Sequence, residues 1–310
     1  LGELSEDAPK DRLAAARWLV SDENPLAARV MANHFWGQLF GRGIVATAGD
    51  FGAAGLPPTH PELLDFLAVQ FRDGFDWDVK RLLREIALSA TYRQDSTITP
   101  ALRARDPWNA LLARGPRNRL SAEMVRDQAL AVSGLLSDKM YGAPVMPPQP
   151  DGVWQIARGG GNKWKNAEGE DRYRRAVYTF WKRTSPYPSL VTFDAPSRQF
   201  CSLNRIATNT PLQALVTLND PVYFECAKSL GGWMAEQGDV STALAAAFER
   251  AAGLRPSDVE LRALTALYED TKNAFAREEE DCAPLADTPE GAALVLAANT
   301  ILNLDKVLTK

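Results

Sequence analysis

Four dipeptides that join a capping residue to proline divide this chain into helices. They are Asn24-Pro25, Thr210-Pro211, Asp220-Pro221 and Thr288-Pro289. Side chains of Asn, Asp and Thr accept hydrogen bonds from the free N–H groups of a first helical turn. Proline is favoured at the first helical position because it has no N–H to leave unpaired. Each dipeptide therefore predicts the start of a helix.

Further start and stop signals extend the helical pattern. Gly41 is expected to end the helix that begins at Pro25, and Gly74 to end the one that follows Thr59. Thr59 to Glu62 and Ser257 to Glu260 both fit a capping box, in which the hydroxyl and the carboxylate each accept from a backbone N–H. Helices are predicted over 25–40, 78–90, 121–133, 211–219, 221–236, 241–252, 257–275 and 289–303, besides the one after Thr59.

Two segments depart from the helical pattern. RRAVYTF at 174–180 is the one strand signal, so the predicted fold class is mainly α: an irregular multi-helix domain with long loops and at most a small β element. Residues 141–172 are rich in Pro, Gly and Trp without a period, which predicts a long loop or lid. Trp154 and Trp164 argue against simple disorder, because aromatic side chains there need a surface to pack on.

Composition narrows the class of protein. The 310 residues are 45% hydrophobic, enough for a core, yet no apolar run reaches the roughly 20 residues of a membrane span. The net charge of −4 is spread over interspersed acids and bases, so we expect no nucleic-acid partner.

We expect one helical domain over 1–310, with a motif-bearing part at 12–228 and a helical scaffold at 229–310 packed on it. The absence of an initiator Met suggests a piece of a longer polypeptide.

Cysteine and histidine usage limits the cofactors. Cys201, Cys226 and Cys282 are far apart and show neither C-x-x-C nor C-x-x-C-H spacing, so the segment carries no haem-attachment motif and no cofactor is predicted in it. Only His34 and His60 are present, which excludes a histidine-rich metal site. A mixed site of histidine and carboxylate stays open, and metal binding is therefore left undecided.

Asp50 and His60 stand at the two ends of a glycine-rich loop, DFGAAGLPPTH. A histidine in the first turn of a helix is kept neutral by the helix dipole, so it can accept a proton or bind a metal. The pair is a candidate for a base with its orienting carboxylate, or for two metal ligands. Asp50-Phe51-Gly52 resembles a kinase triplet only by accident, since the companion motifs are absent.

A polar stripe runs along the predicted helix 25–40. Arg29, Asn33, Trp36 and Phe40 follow one another at helical spacing and share one face. The first three are candidate ligand-binding residues of a pocket. A buried polar network that joins helices is the alternative interpretation.

Arginine is concentrated between residues 172 and 219. Guanidinium groups prefer carboxylate, phosphate or sulfate partners, so the segment predicts either an anionic ligand or ion pairs with acids such as Glu123 and Asp127. Thr210 and Gln213, at a helix N-terminus, would suit the same anion. The candidate arginines are Arg174, Arg175, Arg183, Arg198 and Arg205. Asp194 joins Asp50 and His60 as a candidate catalytic residue, and these groups should converge with Arg175 on an open cleft.

Five ordered blocks of sequence carry a resemblance. They are NPLAARVMANHFWGQLFGRGIVATAGDFGAAGLPPTHPELLDFLA, LSATYRQDS, DPWNALLARGPRNRLSAEMVRDQAL, YRRAVYTFWKRTSPYPSLVTFDAPSR and TNTPLQALVTLNDPVYFECA. Together they resemble the planctomycete cytochrome-c-associated domain of unknown function, of the first PSD type. The likeness covers about residues 12–228, and ILNLDKVLT resembles the end of that family's domain.

The resemblance implies a setting and a role. It implies the C-terminal module of an exported, extracytoplasmic protein, periplasmic or secreted, whose cytochrome-c-like domain is the suspected partner. A redox-linked enzyme module that binds a polar anionic or carbohydrate ligand is the first hypothesis. A non-catalytic scaffold or docking domain for the cytochrome-like domain is the alternative. The family typically has Arg where this chain has His34, so essential chemistry is not expected at that position.

Overall fold

The computed structural model describes residues 9, 11–150, 164–277 and 281–310. The chain divides into two compact units, Leu1–Asn118 and Arg119–Lys310. The described residues form thirteen α-helices and two isolated β-bridges, with no longer strand, which confirms the mainly α fold class. No helix among them combines the length and the apolar character that crossing a bilayer requires.

The first unit is built from α1 to α5. A π-helical turn, Gln70–Gly74, continues α3. The helices are α1 (Arg12–Leu19), α2 (Pro25–Phe40), α3 (Pro61–Val69), α4 (Val79–Leu88) and α5 (Pro100–Arg105). Their core contains Trp36 of α2, Leu64 of α3 and Ile86 of α4.

Local cap chemistry sets both ends of α2, as predicted. Asn24 Oδ1 accepts hydrogen bonds from the N–H groups of Leu26 and Ala27. Gly41 ends the helix in the left-handed region, with φ of 75°. A Cβ at this position would lie 2.1 Å from Asn118 Oδ1, so both the backbone angle and the space require glycine.

The capping box predicted at Thr59 is wrong. His60 is the N-cap of α3 and makes no side-chain cap hydrogen bond, so it precedes the first turn instead of lying in it. The N–H and the hydroxyl of Thr59 both donate to the carbonyl of Ile44, at 2.9 and 3.3 Å. The Thr59 hydroxyl is therefore hydrogen-bonded to the preceding loop and does not cap α3.

The second unit is built from α6 to α13. Its core is centred on α9 and α12, where Gly231 allows the close approach, because a Cβ there would lie 2.9 Å from Val295 Cγ2. The helices are α6 (Ala122–Ser133), α7 (Pro188–Thr192), α8 (Pro211–Asn219), α9 (Pro221–Ala235), α10 (Val240–Ala252), α11 (Asp258–Ala276), α12 (Pro289–Leu302) and α13 (Asp305–Leu308). The capping box predicted at Ser257 and Glu260 is confirmed at the start of α11.

The strand predicted at 174–180 is wrong. This stretch contains a 3-10 turn over Ala176–Tyr178, and it pairs with another segment only at the bridge between Val145 and Thr179. The partner segment explains the short pairing. Prolines stand at 144, 147, 148 and 150, and a proline has no N–H with which to extend a ladder.

The predicted loop at 141–172 is described only in part. Trp154 and the glycine run at 157–162 lie outside the described residues. Trp164 stacks on Tyr187, with ring centroids 5.6 Å apart, and its Nε1 donates to the carbonyl of Pro147 at 2.8 Å. This tryptophan therefore packs on the second unit, while the lid role of the loop stays a prediction.

Candidate functional site

Two carboxylates on α6 organise the surface around them. Glu123 and Asp127 lie one helical turn apart, and both are partly buried. Arg205 Nη1 donates to Glu123 Oε2 at 2.5 Å. Asp127 Oδ1 accepts from the N–H of Ala176 at 2.6 Å. One face of α6 therefore fixes two segments that are far away in sequence.

Three of the five arginines predicted to bind a ligand, Arg175, Arg198 and Arg205, lie near this face. Burial raises the pKa of both carboxylates, and the charges of Arg198 near Glu123 and of Arg175 near Asp127 counter that effect. The guanidinium of Arg198 lies 4.9 Å from the ring centre of Trp181. We call this region the arginine surface; its members are Glu123, Asp127, Arg175, Trp181, Arg198 and Arg205.

The two carboxylates of the arginine surface have pKa values shifted in opposite directions. Burial raises the pKa of Glu123, but the hydrogen bond and charge of Arg205 and the charge of Arg198 outweigh burial and lower it overall. For Asp127, burial is the largest influence and raises the pKa, against the N–H of Ala176 and nearby arginine charges. Glu123 therefore stays ionised as the partner of Arg205.

Arg126 lies beneath this surface, in the interior of the second unit. Its side chain is 1% exposed, and its Nη2 donates to the carbonyl of Arg172 at 2.8 Å. The three arginines of the surface outnumber its two carboxylates. The excess of guanidinium groups favours an anion at this place.

Arg174 and Arg183 have different surroundings from the arginine surface. Arg174 is buried, donates from Nη2 to the carbonyl of Tyr141 at 2.5 Å, and lies over the ring of Tyr178. Its guanidinium is thus used by the protein itself. Arg183 is exposed and makes no ion pair or hydrogen bond with another described residue.

Asp194 and Gln213 belong to a separate network in the second unit. Asp194 Oδ2 accepts from the N–H and the hydroxyl of Thr208, at 2.8 and 2.7 Å. The buried amide of Gln213 donates to the Thr208 hydroxyl at 3.1 Å and accepts from Arg119 Nη2 at 2.8 Å. Thr210 is the N-cap of α8 without a side-chain cap hydrogen bond. The network ties the loop before α8 to the helix.

Asp50 and His60 have different hydrogen-bond partners in the first unit. Asp50 Oδ1 accepts from the N–H of Gly52 at 2.7 Å, and His60 Nδ1 lies 3.0 Å from the hydroxyl of Thr59. Asp194 belongs to the other unit, so a catalytic constellation of these three residues stays a prediction.

The three candidate ligand-binding residues of α2 each have a partner within the first unit. Asn33 donates from Nδ2 to the carbonyl of Val45 at 3.1 Å and accepts from its N–H at 2.8 Å. Trp36 is buried against Phe40, with ring centroids 4.1 Å apart. Arg29 pairs with Asp65 at 2.9 Å. A ligand at Asn33 would have to displace Val45.

Sequence reasoning did not single out Trp181. The one available signal was its position directly before Lys182 and Arg183 in the arginine-rich segment. Its stacking partner Arg198 is 17 positions away, with no periodic pattern to connect them. Only the folded chain brings the indole to the arginines.

Among the described residues, no group of three or more His, Cys, Asp or Glu side chains is arranged to hold a metal ion.

Comparisons with known proteins place the chain in a family. No curated protein and no solved structure matches the chain. The family model described as PSD1, protein of unknown function (DUF1553), matches residues 11–268. Because this match spans most of its length, the chain belongs to the PSD1 family of proteins of unknown function.

Proposed function

We propose that the second unit binds an anionic ligand, a carboxylated or sulfated carbohydrate, at the arginine surface. One observation carries the proposal: three guanidinium groups and an indole gather around two carboxylates that are already engaged within the protein. Arginine forks bind carboxylate and sulfate through two parallel hydrogen bonds. An anion added here gains partners without displacing a buried ion pair.

Arg198 is the residue best prepared for such a ligand. The cation–π contact with Trp181 holds the guanidinium over the indole ring. The side chain is exposed, so a ligand can reach it. Arg175 and Arg205 supply further positive charge on either side of the same helix face.

The wider role rests on the resemblance of the five sequence blocks. In this proposal the chain is a module of an exported, extracytoplasmic protein that works with a cytochrome-c-like domain of the same polypeptide. Asp50 and His60 of the first unit and Asp194 of the second stay the candidate catalytic residues of a redox-linked reaction. Binding at the arginine surface does not depend on that reaction.

A docking role is the second candidate, and a specific feature favours it. Phe200, Leu203 and Ile206 are 73%, 65% and 78% exposed in a segment without helix or strand. Apolar side chains grouped on a surface are typical of an interaction site. The partner in this case would be the cytochrome-c-like domain.

Calorimetric titration of the full chain with oligogalacturonate tests the anion site. Arg198→Ala should weaken binding about tenfold or more, because a charge-assisted hydrogen bond contributes about 1.5–3 kcal/mol. Arg250→Ala is the matched control, since Arg250 also lies over a tryptophan of the second unit, 4.6 Å from the Trp233 ring, and should leave the affinity unchanged.

Equal affinities for oligogalacturonate and a neutral oligosaccharide would reject the anion site. Ile206→Ser separates the two candidates, because it removes the exposed apolar side chain without adding a charge beside Arg205. It should leave anion binding intact, and it should abolish binding of the cytochrome-c-like domain if the segment around Phe200 is a docking site.

A further inference from the structure

A cleft in the first unit is lined by none of the residues of the arginine surface. It is partly open to solvent, and the space that it encloses amounts to about 20 Å³. Its lining combines aromatic side chains with polar ones and contains no carboxylate. The residues are Trp36, Phe40, Arg42, Gly43, Ile44, Thr59, Trp108, Asn109, Ala110 and Leu112.

The inner side of the cleft is rigid. Trp36 and Phe40 stack face to face with an interplanar angle of 6°. Gly43 allows the chain to pass close to α2, because a Cβ there would lie 2.6 Å from Asn33 Nδ2 and 2.8 Å from the carbonyl oxygen of Val45. Both the aromatic pair and the glycine approach are fixed by the core of the unit, so the cleft exists without a ligand.

A tightly hydrogen-bonded loop presents Trp108 at this cleft. Buried Asp106 accepts from the N–H groups of Ala110 and Leu111, both at 2.8 Å. Buried Arg114 donates to the carbonyl oxygens of Asp106 and Pro107, at 2.9 and 3.0 Å. The loop therefore satisfies its polar groups internally and is preorganised.

The indole of Trp108 contributes little to the stability of the fold, because most of it stays exposed to solvent. Its side chain is 75% exposed, although an indole is among the side chains that bury the most apolar area. Asn109 and Leu112, close behind it, adopt left-handed φ angles of 51° and 55°. Such angles are costly for a non-glycine residue and are often found at functional sites. A preorganised loop that holds an exposed indole at a cleft is typical of a binding platform.

The charge of the cleft selects the kind of ligand. Arg42 makes no ion pair or hydrogen bond with another described residue. Its positive charge disfavours a cationic ligand on the indole, which an aromatic ring alone would attract. Its fork favours a carboxylate or sulfate. The negative face of the indole attracts the polarised C–H groups on the flat side of a pyranose ring.

We propose that this cleft binds one acidic sugar residue, with the ring stacked on Trp108 and its carboxylate or sulfate on Arg42. The enclosed space holds little more than a water molecule, so the sugar ring lies across the mouth of the cleft, on the exposed indole of Trp108. This site is independent of the arginine surface in the second unit, so either can exist without the other.

Fluorine NMR of the full chain labelled with 5-fluorotryptophan tests the site directly. Trp108→Phe and Trp181→Phe assign the two resonances, so the cleft and the arginine surface are read separately in one spectrum. Addition of tri-galacturonic acid should shift the Trp108 resonance with at least about tenfold higher affinity than maltotriose. Arg42→Ala should remove that preference.

Matched variants and a further ligand define the results that would reject the proposal. Trp108→Ala, read at the resonance of Trp36 in the same cleft, should abolish binding at this site, whereas Leu111→Ala, an exposed apolar residue of the same loop outside the cleft, should leave the Trp108 shift unchanged. Circular dichroism confirms that both variants fold. No shift of Trp108 with either sugar overturns the proposal, and so does a shift with adenosine monophosphate alone, which would indicate a nucleotide site.

Discussion

Asp220 shows how a single residue can serve two helices at a cost. It follows the end of α8, and its Oδ1 accepts from the N–H of Val222 in the first turn of α9. The residue is buried, and burial together with the charge of Glu225 raises its pKa to about 6, against the N–H of Val222 and the charge of Arg126. The same carboxylate thus caps a helix and loses solvation.

Asp220→Asn should stabilise the protein at neutral pH. The folded-state pKa lies above the unfolded value of about 3.9, so the native state binds the proton more tightly and loses stability as pH rises from about 4 to 6. Asparagine keeps the cap without the charge. The gain over wild type should be near zero at pH 4 and reach about 2–3 kcal/mol above pH 6, as measured by urea unfolding across this range. A gain that does not change with pH would contradict the role of burial.

At the scale of the element, the same capping-box sequence pattern forms its hydrogen bonds at one helix and not at another. At α11, the Ser257 hydroxyl accepts from the N–H of Glu260, and Glu260 accepts from the N–H and the hydroxyl of Ser257. Hydrogen bonds from Lys306 and then Ser257 lower the pKa of Glu260 to about 2. At α3, the loop carbonyl of Ile44 holds the Thr59 hydroxyl instead. The pattern alone does not decide whether the box closes.

Ser257→Ala and Thr59→Ala form a matched pair for this difference. Loss of the cap at α11 should lower the free energy of unfolding by about 1 kcal/mol. Thr59→Ala removes a long contact to Ile44 and an exposed contact with His60 Nδ1, and it should cost roughly half as much or less. Denaturant titration of the full chain measures both. A larger loss at Thr59 would mean that its hydroxyl does cap α3 in solution.

At the scale of the whole molecule, each compact unit has a core of its own. The buried apolar cluster of the first unit lies between residues 32 and 86, and that of the second lies between 122 and 308. Leu120 donates its N–H to the carbonyl of Leu308, so the beginning of the second unit is joined to its end. Such closure is expected of a region that can fold by itself.

Residues 119–310 produced alone should therefore unfold in one cooperative transition with a helical circular dichroism spectrum. A fragment that starts at Ser121 is the control, since it lacks the hydrogen bonds of Leu120 and of Arg119 to Gln213. It should melt at a lower temperature than the longer fragment. If the 119–310 fragment is unfolded or melts without cooperativity, the result would favour the single domain over 1–310 that the sequence suggests.

The sequence by itself determined where most helices begin and end. Asn24 and Ser257 act on N–H groups two or three positions away, and Gly41 acts through its own backbone angle. These interactions are local, so a short stretch of sequence contains both partners. The short α1, α5, α7 and α13 were not predicted, because they lack the long apolar period that identifies a helix.

Only the tertiary structure decided which distant groups meet. Arg205 reaches Glu123 across 82 positions, and Asn33 binds Val45 of the next loop instead of a ligand. Proline in the partner segment limited 174–180 to one bridge although its own residues favour a strand. Trp108 and Arg42 share a cleft without any pattern that links them. Such contacts depend on how whole elements pack, and the residues nearby in sequence do not contain that information.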